Sequence, residues 1–324
     1  MTQSVVGSFA LVGVGLGDER DLTIRGLELA RSVDVVFIEA YTAILADAAR
    51  LESSIGRPIV TADRTMVESG DVLRPCLCEG KSVAMLVVGD PFGATTHSDV
   101  VVRCHDAKIP LAVVHNASIM NAVGCCGLQL YRFGQTISLC FWTDTWRPSS
   151  WFPKIVSNRV SGLHTLVLLD IKVKEVSDAN LARGRTNVFE PPRFMSARQG
   201  AQQLLAMGDT SGVLSTSTVV VALGRVGATD QRIVISTLGD IANTDYLGDP
   251  LHCLVVAGDV HECEAEHASL YATAQLGSTL AGVRSRMVQN RMSNEAIAAQ
   301  LMRQVEEIRR GPLKEEILEA PSRH

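Results

Sequence analysis

A cluster of polar residues follows an apolar run in the stretch VVGDPFGATTHSD, residues 87–99. After Val88 the chain supplies an aspartate, a proline, two glycines, two threonines and a histidine. In an open α/β sheet, ligands bind beyond the carboxyl ends of the strands. The carboxylate of Asp90 can accept a hydrogen bond from a ligand amine or hydroxyl, and Gly93 leaves room for the ligand. Helix capping explains only part of this cluster, so these residue types predict a site for a small polar molecule.

Polar residues also flank other apolar runs. They are His115, Asn116 and Ser118 after PLAVV, Asp170 after TLVLL, Arg225 within GRVG, and His252 before CLVV. Taken singly, each of these residues is explained as a side chain that forms hydrogen bonds within a loop or the core. If they converged at one end of two sheets, they would build a single site.

A glycine-rich turn lies nearer the N-terminus, in GVGLGD, residues 13–18. It follows an apolar run and precedes a helical pattern, where backbone amides can approach a ligand. Its spacing is G-x-G-x-G, whereas the dinucleotide fingerprint is G-x-G-x-x-G. Glu39 stands 24 residues after Gly15, near the position of a ribose-binding acid. These features keep a nucleotide-binding oxidoreductase as an alternative. The other interpretation is a glycine-rich turn that only packs tightly and binds nothing.

Five short runs rich in Val, Ile and Leu precede residue 116. They span 9–14, 35–40, 58–62, 82–88 and 110–115. Apolar runs without polar alternation are typical of strands buried on both faces of a parallel sheet. Helical patterns between them, at 21–33 and 97–107, indicate crossover helices. We predict an N-terminal α/β domain over residues 1–117.

A second set of apolar runs follows a glycine-rich helix candidate at 117–134. The runs span 136–142, 164–173, 218–227, 232–237 and 252–258. Polar connections at 143–163 and 174–194 interrupt them. This pattern predicts a second α/β domain over residues 118–272, with more mixed strand directions.

Residues 273–324 predict a helical tail. An apolar stripe recurs at helical spacing after a Ser293 cap, and Gly311–Pro312 ends it; its members are Ile297, Leu301, Val305 and Ile308. Such a helix can dock on a partner, or pack on its own body or on a sister subunit.

The amino-acid composition limits the classes of protein to which the chain can belong. With 324 residues, 46% hydrophobic and 20% charged, the chain has the composition of a globular protein. A net charge of −5 provides no electrostatic case for nucleic-acid binding. The eight cysteines form no C-x-x-C pair, which favours reduced, packed thiols and no metal site. The N-terminus lacks a basic region and no run reaches about 18 apolar residues, so we expect a cytoplasmic protein.

Several longer blocks resemble one family. They are GLGDERDLTIRGLE, EAYTAIL, VVGDPFGATTHSD, HNASIMNAVGCCGLQLYRFGQT, FWTDTWRP, LLDIKVKE, EPPRFMSARQGAQQLL and GRVGATDQRI. In this order, they are similar to blocks of the diphthine synthases in their eukaryotic form, the methyltransferases of the diphthamide pathway. The resemblance implies a two-domain α/β tetrapyrrole-methylase-like fold, S-adenosylmethionine in the cleft between the domains, and a homodimer.

Carried over residue by residue, the family's cofactor contacts fall on eight positions. They are Leu16, Asp90, Gly93, Ser118, Ile119, Leu169, Ala222 and His252. Asp90 and Gly93 lie in the stretch 87–99, so the resemblance implies that the small molecule predicted there is S-adenosylmethionine.

The resemblance also implies a protein substrate, translation elongation factor 2, whose modified histidine carries a 3-amino-3-carboxypropyl group. Eukaryotic members are taken to methylate the amine three times and the carboxylate once. A sulfonium methyl donor is already activated, so alignment matters more than acid–base chemistry. Because an amine must be deprotonated to attack, Asp144 and Asp170 are candidate bases, against a role in loop hydrogen bonding.

Further side chains are candidates for contact with this substrate. The rings of Trp142 and Trp146 can face a cationic intermediate. Four basic side chains can meet the substrate's carboxylate, against a solvated positive face; they are Lys172, Lys174, Arg193 and Arg225.

Three alternatives stay open at this point. A tetrapyrrole methyltransferase of the cobalamin or siroheme type would keep the fold and change the acceptor. The oxidoreductase would bind a nucleotide on residues 13–17 and Glu39. A non-catalytic adaptor would act through the C-terminal helix.

Overall fold

The structure is a computed structural model of the chain. It describes residues 6–39, 48–176, 180, 182–184, 188–211 and 213–276, with separate residues between 282 and 299. The predicted tail stripe, from the Ser293 cap to Ile308, lies outside the described residues.

Five parallel strands form the first sheet. They are β1 (Phe9–Gly13), β2 (Val35–Glu39), β3 (Ile59–Ala62), β4 (Val83–Val87) and β5 (Leu111–Val114), in the order β3-β2-β4-β1-β5. Every residue of β1 and β4 is buried, which explains their unbroken apolar sequences. The predicted parallel sheet is confirmed. Because β4, β1 and β5 are neighbours, the loops that follow them meet at one edge.

Helices connect these strands. They are α1 (Ile24–Ser32), α2 (Ala48–Ile55), α3 (Arg64–Ser69), α4 (Arg74–Glu79) and α5 (Ser98–Asp106). The side chain of Thr23 begins α1 by accepting from the Gly26 amide, and that of Asp63 begins α3 by accepting from the Met66 amide. Separate apolar clusters cover the two faces of the sheet.

The second sheet is mixed, as predicted. Its strands are β6 (Ile137–Leu139), β7 (Thr165–Leu169), β10 (Val219–Gly224), β11 (Arg232–Thr237) and β12 (His252–Val256). Their order is β11-β10-β12-β7-β6, and only the β6–β7 pair is parallel within this described sheet. A small antiparallel ribbon joins β8 (Ile171–Lys172) and β9 (Arg193–Phe194).

The helices of this half are short, apart from one. They are α6 (Ile119–Ala122), α7 (Phe152–Val160), α8 (Ala197–Ser211), α9 (Leu238–Asn243) and α10 (Glu262–Ala268). The single helix predicted over 117–134 is wrong: α6 is followed by 3₁₀ turns at Val123–Cys126 and Leu130–Arg132. Gly127 ends the first turn with φ of +90°, a left-handed conformation that breaks a helix.

The first sheet ends at Val114 and the second begins at Ile137. The exact domain limits stay a prediction. Within the described ranges no helix is both long and apolar enough to cross a bilayer, and no group of His, Cys, Asp or Glu side chains is arranged to hold a metal ion.

Candidate functional site

A cavity of about 910 Å³ is lined by residues from both halves of the chain. Loops after β1, β4 and β5 reach it from the first sheet, and ends of β7, β10 and β12 reach it from the second. Six of the eight predicted cofactor contacts line it together: Leu16, Gly93, Ser118, Ile119, Leu169 and His252. The strand ends of two sheets therefore converge on one site.

The side chains of the other two predicted contacts do not line the cavity. Asp90 sits between Gly89 and Gly93, which both do, and its carboxylate bonds to the protein. Ala222 is fully buried and its side chain packs into the core of the second half. Its neighbour Leu223 reaches the cavity instead, because consecutive side chains of a strand point to opposite faces.

The glycine-rich turn after β1 is held by Asp21. One oxygen of its carboxylate accepts hydrogen bonds from the amides of Leu16 (3.2 Å) and Gly17 (2.8 Å). A Cβ on Gly17 would lie 2.6 Å from the carbonyl oxygen of Gly227, so backbone from the two halves meets here. Asp21 thus places Leu16 at the wall of the cavity.

We expect Asp21→Ala to weaken cofactor binding by about tenfold, since two hydrogen bonds to a charged group orient the turn. Asp21→Asn is the matched control, because a single amide oxygen can accept from both amides. Calorimetry with S-adenosylhomocysteine would measure both. Equal affinity of the alanine variant and the unsubstituted protein would contradict this role for Asp21.

Asp90 joins the turn after β4 to the loop after β5. Its Oδ1 accepts from the Phe92 amide (2.9 Å), and its Oδ2 accepts from the Asn116 amide (3.0 Å). The Nδ1 atom of His115 lies 2.9 Å from the same Oδ2. Burial raises the pKa of Asp90, but these hydrogen bonds outweigh it and leave the pKa below its ordinary value. Asp90 therefore fixes this turn as an anion.

Gly93 and Ser118 are in close contact across the same edge of the sheet. A Cβ on Gly93 would lie 2.3 Å from the Ser118 Oγ. That hydroxyl caps α6 by accepting from the Met120 amide, and the Asn121 side chain returns a bond to the Ser118 amide. Position 93 therefore needs glycine because of the space available.

A buried pair supports the turn from behind. The Nε2 of His97 lies 3.1 Å from the Oε2 of Glu39, and both side chains are fully buried. The Nδ1 of His97 is 3.2 Å from the carbonyl oxygen of Pro91, which can only accept, so Nδ1 donates. The interpretation of Glu39 as a ribose ligand is wrong, because its carboxylate is enclosed in the protein.

His252 lines the cavity as a neutral ring. Its Nδ1 accepts from the Ala197 amide (3.2 Å), and its Nε2 is 2.8 Å from the carbonyl oxygen of Asp249. Nε2 therefore carries the hydrogen. Burial lowers the pKa of His252, which agrees with this neutral form. Since both nitrogens serve the protein, His252 offers a ligand its ring rather than a base.

His252 should make the fold less stable in mild acid. Its pKa is lowered on folding, so below its ordinary value of 6.5 the unfolded chain binds the proton more readily. Stability then falls as the pH drops, by at most about 1.4 kcal/mol per pH unit. We expect His252→Asn, whose Oδ1 can still accept from the Ala197 amide, to lose less stability between pH 7 and pH 5. Urea unfolding at both pH values would check this, and identical losses would contradict it.

The two candidate bases lie in different places. Asp170 lines the cavity at the end of β7, and its Oδ2 accepts from the Phe141 amide (2.9 Å). Asp144 is exposed and does not line the cavity. Only Asp170 stands where it can meet an acceptor.

The aromatic and basic side chains predicted to meet a substrate are mostly engaged elsewhere. Neither Trp142 nor Trp146 lines the cavity, and the guanidinium of Arg147 lies 5.7 Å from the centroid of the Trp142 ring. Arg225 does line it, but its Nε lies 2.5 Å from the Oδ2 of Asp230. These positions give no support to the predicted aromatic surface for a cation.

The charged groups of the cavity suit a cofactor without phosphates. Its lining includes three carboxylates, Glu68, Asp170 and Asp230, and two arginines, Arg64 and Arg225. The amides of the glycine-rich turn, which would bind a pyrophosphate in a dinucleotide site, are held by Asp21. Arg225 pairs with Asp230 and Arg64 with Glu68, which leaves one carboxylate, Asp170, in excess and favours a cationic ligand.

Comparisons with known proteins agree with this geometry. Residues 8–242 match the family model of Tetrapyrrole (Corrin/Porphyrin) Methylases. A diphthine methyl ester synthase of Mus musculus is 51% identical over 280 residues, which cover 83% of this chain and 98% of the relative. One of Schizosaccharomyces pombe is 50% identical over 270 residues, 82% and 94% of the two chains. A crystal structure of diphthine synthase is 28% identical with a TM-score of 0.69, covering 83% of this chain and 98% of that chain.

Two α/β halves that share one cavity, together with this match, define a methyltransferase of the tetrapyrrole methylase class. The chain belongs, within that class, to the diphthine methyl ester synthase family.

Proposed function

We propose that this chain transfers methyl groups from S-adenosylmethionine to the 3-amino-3-carboxypropyl group of the modified histidine in translation elongation factor 2, giving diphthine methyl ester. The observation that supports this most is the convergence of six predicted cofactor contacts on one cavity. The lining also suits a cationic sulfonium better than a phosphate. The names of the relatives agree with this product.

When bound, S-adenosylmethionine would supply an activated methyl group, so this chain's residues have to align it with the acceptor. The turns fixed by Asp21 and Asp90 would hold it from the first half. Leu169 and His252 would close the cavity from the second half. Alignment of the methyl group with the acceptor therefore depends mainly on the residues that position these loops.

Asp170 is the residue proposed to assist the amine. Its Oδ2 is fixed by the Phe141 amide, which orients the carboxylate at the cavity wall. There it would accept the proton that the amine has to lose before it attacks. A carboxylate acceptor needs no base, so Asp170→Asn should slow methylation of the amine more than formation of the ester. Asp144, the other candidate base, is exposed and does not line the cavity, so only Asp170 is proposed for this role.

The test uses elongation factor 2 that carries the unmethylated 3-amino-3-carboxypropyl histidine. It is incubated with the enzyme and methyl-deuterated S-adenosylmethionine and then analysed by mass spectrometry. We expect deuterated methyl groups on that histidine alone, on both the amine and the carboxylate. Methylation of a corrinoid instead would favour the tetrapyrrole alternative. Binding of NADH without binding of S-adenosylhomocysteine would favour the oxidoreductase.

The resemblance further supports a homodimer. We also propose that the protein works in the cytoplasm, as expected from the sequence. Sedimentation of the purified chain and imaging of a tagged copy would test these two proposals. The adaptor alternative depends on the C-terminal tail, and loss of methyl transfer on deletion of residues 280–324 would give that tail a part in activity.

A further inference from the structure

We propose that Arg64 and Glu68 form the subsite that recognises the amino-acid group of the acceptor. The guanidinium of Arg64 binds its carboxylate, and the carboxylate of Glu68 faces its amine. This inference rests on the proposed function, which supplies an acceptor with both groups on one carbon atom.

Both residues line the same cavity as the predicted cofactor contacts. They lie four positions apart on α3, so their side chains share one face of that helix. The two side chains are 64% and 69% exposed, whereas Ser118 and Leu169 are buried. Arg64 and Glu68 therefore stand where the cavity opens to solvent, on the side from which a protein-borne acceptor must approach.

Their charges complement those of the acceptor. A planar guanidinium can bind a carboxylate through two parallel hydrogen bonds. Glu68 attracts the nitrogen both as an ammonium and after methylation, because a trimethylated amine keeps its positive charge. The Arg64 Nε lies 3.9 Å from the Glu68 Oε1, and an exposed pair at this distance contributes little stability.

Two other charged side chains of the cavity lining are oriented by contacts within the protein, and one of them, Asp170, keeps its proposed role as the group that accepts the proton of the amine. Arg225 pairs with Asp230, and the Asp170 Oδ2 accepts from the Phe141 amide. Among the basic residues predicted to meet the substrate, Lys172 and Arg193 both pair with Glu175, at 2.5 and 3.4 Å.

The remaining predicted cation helps to position α3. The Lys174 Nζ lies 3.6 Å from the Oδ2 of Asp63, the residue that caps this helix. This pair connects the segment after β8 to the first turn of α3, next to Arg64. This ion pair links the two halves of the chain at the rim of the cavity.

The test compares Arg64→Gln and Glu68→Gln with two matched variants, Asp99→Asn and Arg103→Gln. The control pair is also an exposed ion pair four residues apart on a helix, at 2.7 Å, but neither member lines the cavity. We expect the Arg64 and Glu68 variants to raise KM for elongation factor 2 by about 10- to 100-fold, because each loses a charge-assisted contact. Arg64→Lys should fall between Arg64→Gln and the unsubstituted enzyme.

Two further measurements separate a failed inference from a failed function. Affinity for S-adenosylhomocysteine should stay unchanged in all five variants, and the melting temperature of each shows whether a substitution acts through stability instead. If the unsubstituted enzyme methylates elongation factor 2 but the Arg64 and Glu68 variants stay within twofold of the controls, the subsite is disproved while the proposed function stands. If the unsubstituted enzyme itself transfers no methyl group to that protein, the proposed function fails, and the subsite with it.

Discussion

We expect Gly93→Ala to remove most cofactor binding. The new Cβ would lie 2.3 Å from the Oγ and 2.5 Å from the Cβ of Ser118, well inside contact distance. Because Ser118 is buried and caps α6, either that cap or the turn at 90–93 must move. Overpacking of this kind costs about 1–3 kcal/mol, which corresponds to roughly 5- to 150-fold in affinity. Gly93→Val should be worse, since its side chain branches at Cβ.

A second substitution tests whether the clash with Ser118 causes the loss. Ser118→Gly removes both atoms that the Gly93→Ala Cβ would strike, and the next neighbour, the Cβ of Asp90, is an acceptable 3.4 Å away. Glycine at a helix N-cap costs only about a few tenths of a kcal/mol relative to serine. The double variant should therefore recover thermal stability relative to Gly93→Ala alone. Calorimetry with S-adenosylhomocysteine and thermal unfolding measure the two effects separately.

The outcomes are distinct. Recovery of both stability and affinity places the effect in the clash with Ser118. If stability alone recovers while Ser118→Gly by itself binds S-adenosylhomocysteine normally, the Cβ at position 93 occupies space that the cofactor needs. A folded Gly93→Ala protein that binds S-adenosylhomocysteine as tightly as the unsubstituted chain would remove Gly93 from the site.

The sheets could be predicted from sequence because burial leaves a direct pattern. Strands β1 and β4 are enclosed on both faces, so they read as unbroken apolar runs. The segment 117–134 is also rich in apolar residues, but it bends at Gly127, whose left-handed conformation depends on contacts with the rest of the chain. A Cβ there would strike the ring of His267, 140 positions away in sequence. A contact between residues so far apart in sequence cannot be predicted from the local pattern of apolar residues.

The residues that follow the strands and line the cavity could be predicted from the sequence. The residues that hold those loops in place could not. Leu16, Gly93 and Ser118 follow apolar runs, so their convergence follows from parallel strands ending at one edge. Asp21 was missed because its role lies in one carboxylate oxygen turned back to the amides of the loop before it. Glu39 was misread for the opposite reason: its position suits a ribose ligand, but its pairing with His97 appears only when β2 is placed beside β4.

Asp90→Ala should also have a large effect, on the fold and on the site together. Its two oxygens accept the amides of Phe92 and Asn116, which join the turn after β4 to the loop that leads to Ser118. Leaving such donors without their acceptor costs about 1–3 kcal/mol. We expect a loss of stability of this size and loss of measurable binding of S-adenosylhomocysteine, since the turn carries Gly93. Urea unfolding and calorimetry on the same preparations would measure both.

Asp90→Asn distinguishes a structural anion from a simple ligand contact. Both carboxylate oxygens accept a backbone N–H, so an amide NH₂ in place of either would face a donor and repel it. Asparagine should therefore be almost as damaging as alanine, whereas it would restore binding if Asp90 served only as an acceptor for one ligand hydrogen bond. His115→Ala is the control, because that exposed ring removes a third partner of Asp90 and leaves both backbone bonds in place. Asp90 also makes the stability of the fold depend on pH. The pKa of Asp90 is lowered on folding, so its contribution to stability is present above its ordinary value of 3.8 and is lost as the pH falls through the lower value of the folded state.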